Sequence, residues 1–205
     1  MQLWIQSDWH WKHRNLYAFT YTDAAGIERR VRERFATMEE GDAYIEQMWR
    51  DHIKPSDHVY ALGDLTMFRS KHMIHEFTKL FRSLPGHKRL ILGNHDHYDI
   101  KVYVEAGFQK IKASNVIGDL LLTHYPVHPS SIPRWALGNV HGHTHQAEDE
   151  GPRYLNISVE RTAYQPIPIE EARRRLRDKQ AVTADVAGCR PASPTDVSNN
   201  PITRP

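Results

Sequence analysis

RLILGNHDHYD, residues 89–99, carries an apolar run up to a glycine and then sets Asn94, His95 and Asp96 side by side. Leu90, Ile91 and Leu92 read as a buried strand, and Gly93 as the tight turn that ends it. Polar groups bunched at a strand end add little to a sheet. They are where open α/β sheets place their ligand sites.

The same arrangement recurs along the chain. Gln2–Ser7 reads as a buried first strand and is followed by Asp8 and His10. A strand over 57–63 precedes Asp64, LLLT precedes His124, and a strand near 138–141 precedes His143 and His145. Between them, FTYTDAAGIERRV reads as a hairpin turning at Ala24-Ala25-Gly26. Thr37 and Glu40 form a capping box for a helix to about Ile53, with Met38, Ile45, Met48 and Trp49 on its apolar face. Ser70 caps a second helix to about Leu84, and a short one covers 99–106. Further strands fall near 109–112, 116–118 and 154–159, and Pro168 opens a last helix over 168–179. Strand–helix–strand order in the first half predicts an α/β fold with a partly parallel sheet. Residues 1–180 are expected to form one domain. Residues 181–205, rich in Pro, Ser, Ala, Thr and Asn, are expected to form a disordered tail.

Composition narrows the function. Of the formal net charge of +2, residues 171–205 supply +3, so residues 1–170 carry −1 and offer little field for nucleic acid. No apolar run approaches the roughly 18 residues of a membrane span, and the start MQLWIQSDWH lacks a signal-peptide pattern. A single cysteine, Cys189, excludes an internal disulfide and points to a reducing, cytoplasmic setting.

Taken singly, each polar cluster has a bland explanation: a chance Asp-x-His, a turn at Gly63-Asp64, a core histidine, a surface His-x-His. Five in succession, each behind an apolar run, do not. Asp8, His10, Asp64, Asn94, His124, His143 and His145 offer two carboxylates, an amide oxygen and four imidazoles, without a thiolate. Seven such groups exceed one ion's usual shell but suit two divalent ions sharing a carboxylate, with Mn first and Fe, Zn or Ni as alternatives. Two ions against two carboxylates and a hydroxide leave net positive charge, which attracts phosphate.

With these motifs in place, the chain resembles the calcineurin-like metallophosphoesterases. Asp8-Trp9-His10, Gly63-Asp64, Gly93-Asn94-His95-Asp96, His124 and Gly142-His143-Thr144-His145 match that family's pattern over about residues 3–170. His13 and Asn15 extend the likeness to the small phosphoesterases of bacteria and phages, as substrate-binding candidates.

The resemblance implies two packed mixed β-sheets flanked by helices, a four-layer sandwich. It assigns Asp8, His10, Asp64 and His145 to one metal, and Asp64, Asn94, His124 and His143 to the other. It implies hydrolysis of a phosphate ester, a diester before a monoester, by in-line attack of a hydroxide bridging ions about 3.5–4 Å apart. His95 becomes the acid for the leaving group, and Asp96 its support. The substrate is expected to be a small phosphorylated molecule such as a nucleotide. Alternatives are a nuclease acting on RNA or DNA, and a metal-binding scaffold without catalysis.

Overall fold

The computed structural model describes residues 1–68 and 70–188, with side chains described through residue 184. Two mixed sheets form its centre. In the first, β1 (Leu3–Gln6), β4 (His58–Ala61), β5 (His87–Ile91) and β6 (Phe108–Lys112) run parallel, while β11 (Ile167–Pro168) pairs antiparallel with β1. In the second, β8 (Leu120–Thr123), β9 (Gly138–His141) and β10 (Tyr154–Asn156) run parallel, with β7 (Ser114–Ile117) antiparallel on β8. The expected hairpin is present as β2 (Thr20–Thr22) and β3 (Glu28–Arg30), turning through Gly26 at φ 78°.

Strand alternation sorts the side chains into layers. Ile5, Tyr60, Leu62 and Ile91 point from the first sheet onto Leu120, Leu122, Val140 and Leu155 of the second. On the opposite face of the first sheet, Trp4, Val59, Ala61 and Leu90 meet the helices α1 (Met38–His52), α2 (Lys71–Ser83) and α3 (Ile100–Glu105) through Ile45, Trp49, Phe77, Phe81 and Tyr103. α4 (Ile169–Gly188) closes the space between the sheets with Ile169, Ala172 and Leu176. This is the expected pair of mixed sheets flanked by helices.

The caps behave as the sequence suggested. Thr37 Oγ1 accepts the Glu40 N–H at 3.2 Å, and Glu40 answers on the Ala36 N–H at 2.9 Å. Ser70 Oγ accepts the His72 N–H at 3.2 Å.

The last helix differs from expectation at both ends. Pro168 closes β11, opposite Trp4, and the helix starts at Ile169. A missing N–H suits an edge strand as well as a first helical turn. At its far end the helix continues past 179 to Gly188, because Ala181, Ala184 and Ala187 are strong helix formers and no Pro or Gly interrupts them. Residues 189–205, most of the expected tail, lie outside the described residues. Among the described residues, no helix is long and apolar enough to cross a membrane.

Candidate metal centre

Parallel strands put their carboxyl ends at one edge, and backbone bonds tie the turns there to one another. Asp8 N donates to Gly63 O at 3.1 Å, His10 N to Asp64 O at 2.9 Å, and Gly142 N to His124 O at 2.9 Å. Glycine is needed where these turns meet. A Cβ on Gly63 would lie 2.6 Å from Gly93 N, one on Gly93 2.2 Å from Asp64 Oδ1, and one on Gly142 2.1 Å from Asp8 Oδ2. Asp8, His10, Asp64, His143 and His145 all hold left-handed backbone, with φ from 47° to 69°. Such conformations are strained for residues with a Cβ and persist only where the surroundings over-determine them.

The seven side chains singled out from the sequence converge on this edge. Donor atoms of Asp8, His10 and His145 lie within 4.8 Å of one another, and so do those of Asp64, His124 and His143. Asn94 Oδ1 joins the second group, 3.0 Å from His124 Nε2. Asp64 Oδ2 stands between the groups, 3.5 Å from His10 Nε2 and 3.3 Å from His124 Nε2.

The donor set fits cations. His10 is buried, and neither of its ring nitrogens has a hydrogen-bond partner. Burial also holds its pKa well below the usual value, so the imidazole is neutral with a lone pair to give. Leaving both nitrogens of a buried ring unsatisfied is unfavourable unless something else uses that lone pair. The second group carries a stored ion pair. Burial would discharge His124, but its bond to Asp64 and the charges of Asp8 and Asp64 raise its pKa to about 9. Burial likewise opposes ionisation of Asp64, yet His124 brings its carboxyl down to about 2.

Two of the four rings, His124 and His145, are aimed by their far nitrogens. His124 Nδ1 faces Leu62 O at 2.7 Å, and His145 Nδ1 faces Glu160 Oε2 at 3.1 Å. Asp8 is braced by the His143 N–H and by Ser158 Oγ, all at 3.0 Å.

His95 is half-buried with its ring edge-on to His10, centroids 5.4 Å apart, while its backbone N–H donates to Asp64 Oδ1 at 2.9 Å. Asp96 requires a correction. It does not brace the His95 imidazole; its carboxylate accepts the N–H groups of Asp64, Leu65 and Gly93 at 2.9, 3.0 and 2.8 Å. Burial pushes this carboxyl up to about 6 against those bonds. Its place is structural, joining the turns after β4 and β5. His13 lies beside the centre, its ring 5.6 Å from His10, whereas Asn15 is exposed on the 3-10 turn Arg14–Tyr17.

Two residues with a clear place here escaped the sequence reading. Arg32 is fully buried and donates to the carbonyls of Asp8 and Trp9, both at 2.9 Å. Its Nε meets Glu160 Oε1 at 2.9 Å. Arg32 lies in the run ERRVRER, which reads as a solvated charged face, and Glu160 follows what reads as strand. Neither carries a local signal.

A cleft of about 560 Å³ opens beside Thr144, lined by Tyr21, Thr22, Gln146 and Arg161 among others. A larger cavity of about 850 Å³ lies against α4, and none of the seven converging side chains lines either space. Exposed rings flank the centre: Tyr125 stands 4.5 Å from His143 and Phe19 6.0 Å from His13, between centroids.

Comparison with known proteins agrees with this geometry. The chain is 28% identical to the gene 66 protein of Mycobacterium phage L5 over 172 residues, 69% of this chain and 76% of that one. It is 26% identical to an uncharacterized protein of Methanocaldococcus jannaschii, covering 82% of this chain and 88% of that one. A crystal structure of a protein of unknown function from Aquifex aeolicus superposes with a TM-score of 0.62 at 25% identity, over 84% of this chain and 98% of that chain. The calcineurin-like phosphoesterase family model matches residues 1–193. The chain therefore belongs to the calcineurin-like phosphoesterases, hydrolases that bind divalent metals.

Proposed function

We propose that the protein is a phosphodiesterase whose two groups of ligands hold a pair of divalent metal ions. The observation that carries this reading is Asp64 Oδ2, set 3.5 Å from one group's His10 and 3.3 Å from the other's His124. In this reading Asp8, His10 and His145 would hold one ion, Asn94, His124 and His143 would hold the other, and Asp64 would serve both groups. Such a pair supplies Lewis-acid charge for the phosphoryl oxygens and for the attacking water. Nitrogen and oxygen donors without thiolate suit Mn, Fe, Zn or Ni, and Mn²⁺ is the ion taken first.

The chain's own residues do the rest. His95, whose ring reaches the edge of His10, donates a proton to the leaving oxygen. His13, on the same side, contacts the ester group. The cleft beside Thr144 takes the organic part of the substrate. Arg32, whose charge is felt at His10, His13 and His145, is engaged with two carbonyls and Glu160. The exposed rings of Phe19 and Tyr125 suit base stacking and support a nucleotide, or the end of a nucleic acid, as substrate.

The test is hydrolysis of bis-p-nitrophenyl phosphate beside p-nitrophenyl phosphate, with protein stripped of metal and then resupplied with Mn²⁺. Metal-dependent turnover favouring the diester is expected. Faster turnover of the monoester would overturn the diester reading.

A further inference from the structure

We propose that Glu160 and Arg32 are positioning residues for one of the two metal positions, that of Asp8, His10 and His145, and that they leave the other alone. The inference rests on the metal-centre reading above and goes beyond it by making the two positions unequal.

Glu160 uses both carboxylate oxygens. Oε2 lies 3.1 Å from His145 Nδ1, and Oε1 accepts Arg32 Nε at 2.9 Å. A carboxylate against Nδ1 keeps the proton on that nitrogen and leaves the Nε2 lone pair for a cation. Arg32 then reaches to the first strand's end, where one terminal nitrogen donates to the carbonyls of Asp8 and Trp9 at 2.9 Å each. Its other terminal nitrogen donates to the Tyr17 hydroxyl at 3.2 Å. One guanidinium thereby locates the backbone that bears Asp8 and leads into His10, together with the carboxylate that aims His145. The left-handed backbone at Asp8 and His10 has this fork as a local restraint.

The other position is braced by different chemistry. His124 Nδ1 faces the Leu62 carbonyl at 2.7 Å, a neutral acceptor belonging to the main chain. Among the described residues, no carboxylate is hydrogen-bonded to the far nitrogen of His124 or His143 as Glu160 is to that of His145. Because Arg32 balances the charge of Glu160, the carboxylate acts through His145 and the proton it fixes, not through a field spread over both positions. An ion pair serving the hairpin alone would leave metal affinity untouched, and this distinguishes the two roles.

The experiment is calorimetric titration of metal-stripped protein with Mn²⁺, for wild type, Glu160→Gln and Glu160→Asp. Glu160→Asp keeps a charge for Arg32 while withdrawing the carboxylate from Nδ1, so it tests the same contact should the Gln variant not fold. Both are expected to weaken one of two binding transitions by about 10- to 100-fold. The second transition should move by no more than about twofold. Glu160→Gln is expected to keep its effect when His124 is also changed to Ala, and to lose it when His145 is changed to Ala. Equal weakening of both transitions, no weakening, or an undiminished effect in the His145→Ala background would overturn the proposal. Wild type binding no Mn²⁺ at all would instead remove the metal-centre reading on which it rests.

Discussion

Asp96 accepts the backbone N–H of Asp64 at 2.9 Å and so fastens the turn after β5 to the turn after β4. Because it also takes the N–H groups of Leu65 and Gly93, one carboxylate satisfies three donors that no strand can reach. Asp96→Ala leaves those donors unsatisfied and is expected to lower stability by about 2–4 kcal/mol. Urea unfolding of the metal-free proteins measures this. A loss within the scatter of surface substitutions would show that the clamp is dispensable.

His95 differs from its neighbours in having a ring at the centre that belongs to neither group of ligands. His95→Ala should retain wild-type metal content while turnover falls by about 10²–10⁴. The loss should grow as the leaving group becomes more basic, since a poor leaving group depends most on the proton. Metal analysis beside rates for a series of aryl diesters tests the division of roles, and loss of metal from this variant would contradict it.

Glycine at 93 is a steric requirement of the site. An added Cβ meets Asp64 Oδ1 at 2.2 Å and Asp64 N at 2.6 Å, so Gly93→Ala must displace the residue between the two groups. The expected result is a loss of about 1–3 kcal/mol, as for an overpacked core, together with impaired Mn²⁺ binding. Gly26→Ala is the contrast. Its Cβ meets nothing within 4 Å, so only the left-handed backbone opposes it, at about 1–2 kcal/mol and without effect on metal.

Acid should expose the buried pair. Burial opposes ionisation of Glu160, but the Arg32 charge and the bond to His145 hold its carboxyl down at about 2, below the ordinary 4.5. A depressed carboxyl contributes stability that is complete above the unfolded value and is lost as pH falls through the folded one. Wild type should therefore lose stability between about pH 4.5 and pH 2, and Glu160→Gln should flatten that part of the profile. Parallel profiles for the two proteins would contradict the assignment.

Much of the centre was legible because each ligand sits within a few residues of a strand end or a glycine turn, so order along the chain maps onto one edge of the sheets. Residues that act across the fold were not. Glu160 and Arg32 are separated by 128 residues and meet only after the hairpin folds against the turn following β10. Asp96 is hard to read from sequence for the opposite reason. Adjacent side chains on a tight turn diverge, so being next to His95 in sequence does not put its carboxylate against that imidazole. Pro168 shows a third limit, since its rigid ring serves an edge strand and a helix start equally well and pairing with β1 decides between them.

In the proposed two-metal reading, catalysis needs both ions. The most direct measurement is the rate of bis-p-nitrophenyl phosphate hydrolysis as Mn²⁺ is added to stripped protein, with bound metal counted in the same samples. Wild type should be inactive without metal and reach its plateau at two ions per chain. Asp64→Asn, lacking the shared carboxylate, should bind fewer and stay inactive. Turnover that survives stripping, or two ions bound without turnover of the diester, would contradict the account.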